Sequence, residues 1–166
     1  RANLALARLL LSEALNVRKL EKLTPVEAEA ALLLLDSNLR LARELAEQAW
    51  RRRPTSWLAP MILGGTEFLL REQNDDPQLA SRPESWEKPL RMAMRLAPGE
   101  AEPVWLLAGL YLRCWDALGP EQRTQAKQTL RKAMEDAQGF AVLVEPWLRV
   151  AWNDREIFDL LPNRPE

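Results

Sequence analysis

The sequence predicts an all-α fold, and three observations carry that prediction. Apolar residues recur three and four apart along most of the 166 residues. Proline-containing helix starts punctuate the chain at Thr24-Pro25-Val26-Glu27, Pro83-Glu84-Ser85, Glu102-Pro103 and Gly119-Pro120-Glu121. No segment shows a sustained apolar–polar alternation, which a half-buried strand requires.

The elements follow in order. Leu4, Ala7, Leu11, Ala14 and Leu15 predict a helix over Asn3 to Leu20. Thr24 can cap the next helix, Pro25 suits its first turn, and Glu27 can complete a capping box. That pattern runs to Trp50 and stops before Pro54. Asp36-Ser37-Asn38 lies in its middle; these residues favour caps, so the segment is either one helix or two. A helix is expected over Trp57 to Arg71, with Pro60 in its first turn. Residues Gln73 to Pro83 are polar and predict a loop. Further helices are expected from Pro83 to near Ala97, from Glu102 to about Trp115, and from Gly119 to a stop at Gly139. Another covers Phe140 to Trp152, bent or interrupted at Pro146, and a short turn spans Asp154 to Leu161.

Composition narrows the function. At 166 residues and 47% hydrophobic, the chain can bury a core without metals or disulfides and is expected to form one domain, 1–166. A net charge of −1 offers no field to draw nucleic acid. The longest apolar run, Ala30 to Leu35, is too short to span a bilayer, so no membrane insertion is expected. No signal peptide is visible. The chain begins at Arg1, so a segment of a larger protein is expected. The single cysteine, Cys114, reads as a buried helical thiol, and no histidine stands anywhere to activate it. The same absence removes Ser-His pairs and the usual zinc sites, so no catalytic residue, metal or cofactor is expected. Gly64-Gly65 reads as close helix packing and Asp75-Asp76 as a solvated loop. Arg51-Arg52-Arg53 sits where a helix C-terminus favours cations. The seven tryptophans read mostly as core.

An internal repeat carries the most information. Ala42, Ala49 and Pro54 align without gaps on Trp86, Ala93 and Pro98, and on Ala126, Ala133 and Gln138. Leu63-Gly64 follows Pro54 at nine and ten residues, and Leu107-Ala108 follows Pro98 likewise, with Tyr111 three further on. This pattern resembles the tetratricopeptide repeat, in degenerate form. The family's 34-residue period is stretched here, because Pro54 and Pro98 lie 44 apart, and Gln138 stands where a proline is expected. The resemblance implies antiparallel helix pairs stacked into a short right-handed superhelix. Its parts would be an N-terminal helix at 1–22, repeats at 24–54, 55–98 and 99–138, and a capping helix at 139–166.

Tetratricopeptide-like stacks usually present the inner face of each pair's first helix to ligands. Carried onto this chain, that implies a partner-binding face of Leu58, Met61, Phe68 and Leu69, with Gly65, in one helix. In the next it implies Trp105, Leu112 and Arg113, with Glu102 and Gly109. Such a groove would suit an amphipathic helix or an extended apolar peptide. The expected function is therefore a non-catalytic interaction or scaffolding module for a protein or peptide partner. The Arg- and Leu-rich composition and the start at Arg1 suggest a soluble domain of a larger bacterial membrane or envelope protein. The alternatives are a self-associating module that forms a homodimer and, third, an enzyme whose site the sequence disguises.

Overall fold

The computed structural model describes residues 2–15, 24–74, 76, 79, 83–151 and 157. The chain is all-helical, with no strand among the described residues. Its helices are α1 (Ala2–Leu15), α2 (Pro25–Arg52), α3 (Leu58–Gln73), α4 (Glu84–Leu96), α5 (Glu102–Arg113), α6 (Pro120–Met134) and α7 (Ala137–Ala151). A 3₁₀ turn, Trp115–Ala117, follows α5. The helices sort into two compact units, α1 to α4 and α5 to α7.

In the first unit α3 packs against α1, α2 and α4. Its sequence explains that position. Apolar and small residues cover it all round, and such a helix is stable only when buried. Its one buried hydroxyl, on Thr66, donates back to the Ile62 carbonyl at 2.9 Å, so that hydroxyl is not stranded. Gly64 permits the contact with α4: a Cβ there would stand 2.6 Å from the Trp86 carbonyl oxygen. The tight packing expected for Gly64 is thus present, and beside it Phe68 meets the Trp86 ring edge-on at 5.1 Å. Arg71 ties the end of α3 to the chain leading into α4, pairing with Asp76 at 2.6 Å and donating to the Ser85 hydroxyl at 2.5 Å.

In the second unit α5 packs against α6 and α7. Gly119 starts α6 by donating its N–H to the Gln122 side chain at 2.8 Å; having no side chain itself, it makes half of a capping box. Arg123 stacks 5.7 Å from the Trp115 ring centroid and donates to the Leu118 and Asp116 carbonyls, which locks the 3₁₀ turn to α6. The Trp147 indole N–H donates to the Ile157 carbonyl at 3.3 Å.

Three sequence expectations resolve or change. The Asp36-Ser37-Asn38 segment does not split: α2 is one 28-residue helix, roughly 42 Å long. Arg40 donates to both carboxylate oxygens of Asp36 one turn below, which keeps that polar group from competing with the backbone. Leu39, Ala42 and Ala46 are buried immediately after it and hold the helix straight through. Gly139 does not stop a helix. It lies in the first turn of α7, where its N–H donates to the Asp136 carboxylate at 3.0 Å, while α6 ends earlier at Met134. Pro146 does not interrupt α7; the acceptor it orphans belongs to Val142, which is exposed and can bond water. Residues 16–20 of the first expected helix lie outside the described residues. So do those of the terminal turn apart from Ile157, and most of the 73–83 loop.

Candidate interaction surface

The buried side of α2 is lined by Leu39, Ala42 and Ala46. At 100° per residue, the opposite side carries Val26, Ala30, Leu33, Leu34, Ser37 and Leu41. A surface helix normally puts charged and polar groups there. Here Val26 is 77% exposed, Leu33 69%, Leu34 63% and Leu41 43%. The stripe runs about 22 Å along the helix and then turns polar, with Glu44 and Gln48 exposed on the same side. Leu6 and Leu9 on α1, which packs against α2, add further exposed apolar surface.

Charges border the stripe. On one flank Arg40 sits 2.7 Å from Asp36, whose hydrogen bond holds the guanidinium protonated beyond even its ordinary range. Glu29 is exposed on the same flank. At the N-terminus the Thr24 hydroxyl and N–H both donate to the Glu27 carboxylate, at 2.6 and 2.8 Å. Those bonds, the hydroxyl's foremost, hold the Glu27 carboxyl below the usual glutamate range.

The face expected from the repeat resemblance is placed differently. Leu58, Met61, Phe68 and Leu69 stand in the first unit; Trp105, Leu112 and Arg113 stand in the second. Met61, Phe68, Leu69 and Leu112 are buried, and Leu58 and Trp105 are half-buried. The Trp105 ring lies on the backbone at Gly139, where a Cβ would come 2.5 Å from its indole nitrogen. Arg113, at the C-terminal end of α5, is exposed. The exposed stripe of α2 was not among the expected residues. Its signal was the run Ala30 to Leu35: six consecutive apolar residues sweep more than a full turn, so some must face away from any one core.

The other motifs take structural positions. Arg51 and Arg52 fill the last turn of α2, and Arg53 closes it through its N–H to the Ala49 carbonyl at 2.9 Å. Asp76 pairs with Arg71, and Asp136 caps α7. Cys114 is buried, its thiol 3.4 Å from the Leu110 carbonyl oxygen. Trp86, Trp115 and Trp147 are buried, Trp50, Trp57 and Trp105 are half-buried, and Trp152 lies outside the described residues. Among the described residues no cluster of His, Cys, Asp or Glu is placed to hold a metal ion. None of their helices is long and apolar enough to cross a membrane. No family model, curated protein or solved structure matches the chain.

Proposed function

We propose that this chain is a non-catalytic interaction module built from degenerate tetratricopeptide-like helix pairs, and that the outer face of α2 is its contact surface. The observation that carries the reading is the exposed stripe Val26, Leu33, Leu34 and Leu41. Contiguous apolar surface of this kind marks interaction sites on soluble folds. A regular α-helix presents it rigidly, so little ordering is needed when a second helix docks along it. The repeat reading draws support from its aligned small residues: Ala42, Ala93, Ala126 and Ala133 are all sealed in helix contacts. Gly64 supports it too, by fitting against α4.

Photo-crosslinking in the source cells tests this. A photoreactive phenylalanine analogue placed at Leu33 should give a discrete protein adduct on illumination. The same group at exposed Arg131, on α6, should not. Absence of any adduct at Leu33, in a chain that remains folded, would remove α2 as the contact surface.

A further inference from the structure

We infer that the outer face of α2 closes on the same face of a second copy of this chain. The two helices run antiparallel about a twofold axis beside Leu33 and Leu34. This rests on the interaction-module reading and names the occupant of its surface.

The size order along the stripe is the first argument. Val26, Ala30, Leu33 with Leu34, Ser37 and Leu41 run large, small, large, small, large, and read the same from either end. That symmetry is what a twofold contact needs, because each residue must fit a different residue of an identical surface. With Leu33 set against the second copy's Leu34, Val26 meets Leu41 and Ala30 meets Ser37 on both sides of the axis. The two small pairs let the backbones approach on either side of the central leucines.

Charge gives the second argument. Glu29 and Arg40 lie on the same flank of the stripe. In an antiparallel pair related by a twofold axis, like flanks meet. Arg40 of one copy then stands within about 3 Å, along the axis, of Glu29 of the other. The guanidinium has donors enough to hold Asp36, at 2.7 Å on its own helix, and a second carboxylate. A parallel pair is disfavoured. It would set Glu44 and the Arg51–Arg53 run against their own copies and align the two helix dipoles.

The test uses the purified chain. Light scattering and sedimentation should give twice the 19.0 kDa chain mass for the wild type. Leu33→Glu/Leu34→Glu should return 19.0 kDa with unchanged helicity and cooperative unfolding, and with a melting temperature that no longer rises with protein concentration. A dimer that persists in the double variant would overturn the assignment to α2. Register is read in a Cys114→Ala background by mixing Ala30→Cys and Ser37→Cys chains with a short bismaleimide. Mixed 30–37 links should exceed 30–30 and 37–37 links severalfold; the reverse order would overturn the antiparallel pairing. A wild type that stays monomeric at millimolar concentration would overturn the inference outright. The module reading is judged separately: a Leu33 adduct to a different protein would preserve it, and no adduct would end it as well.

Discussion

Two glycines show how single positions set the helix spacing. A methyl group at Gly64 would press on the Trp86 carbonyl and Leu90, and one at Gly139 on the Ala133 carbonyl and the Trp105 ring. Backbone cannot step aside as a flexible side chain can. Gly64→Ala and Gly139→Ala are therefore each expected to destabilise by about 1–3 kcal/mol, the usual cost of overpacking. Gly99→Ala, with open space around it, should change stability by less than about 0.5 kcal/mol. Chemical denaturation of the three variants checks this; a Gly64→Ala chain as stable as Gly99→Ala would refute the close α3–α4 approach. Sequence made Gly64 legible, because Leu63-Gly64 fell at a fixed distance from Pro54. It could not rank the alanines. Ala49 and Ala93 occupy equivalent repeat positions, yet Ala93 is sealed and Ala49 half-buried. Ala93→Glu strands a charge in the core and should cost about 4 kcal/mol or more; Ala49→Glu should cost clearly less, since its carboxylate can reach water.

Among the elements, α2 is where local chemistry is most legible and also where sequence misleads. Thr24, Pro25 and Glu27 announced its start, and the capping box is complete. Its continuity was not legible, because it depends on Arg40 engaging Asp36 and on the burial of Leu39, Ala42 and Ala46 in the turns that follow. The boundary between α6 and α7 was hidden for a similar reason. Gly139 looks like a helix stop until the Asp136 carboxylate is seen to cap a new helix through it. The cap of α2 carries a pH dependence. The Glu27 carboxyl is held below its usual range by Thr24, so its folded-state pKa lies under its unfolded one. Its stabilisation is present above the ordinary glutamate range and is lost as pH falls through the lowered folded value. Protection from amide exchange in the first turn of α2, taken relative to the intrinsic rate at each pH, should fall over that acidic window, and Thr24→Ala should produce the same loss of protection at neutral pH. A Glu27 carboxyl that titrates at an ordinary glutamate value in the wild type would show that the cap is not formed in solution.

Across the whole molecule, exposed apolar surface is unevenly distributed. Among the described residues, Leu6, Leu9, Val26, Leu32, Leu33, Leu34 and Leu41 are exposed on α1 and α2, against only Met92, Val142 and Leu148 on the later helices. Isolated exposed leucines are ordinary in soluble proteins; it is their concentration on one helix pair on which the proposed contact surface rests. Composition established that the chain had enough hydrophobic residues for a core. It could not say which would be left over, because packing partners decide that: α3 meets three helices and buries nearly every side, whereas α2 buries one. The repeat resemblance pointed to Met61, yet Met61 is enclosed while Leu33, inside the longest apolar run, is open. Paired substitutions separate the two roles. Leu33→Lys is expected to leave each chain folded, with wild-type helicity and cooperative unfolding, while weakening self-association. Met61→Lys buries an unpaired ammonium and should abolish cooperative unfolding at ordinary temperature. If Leu33→Lys abolished cooperative unfolding as Met61→Lys does, Leu33 would belong to the core, and the outer face of α2 would no longer be a surface at all.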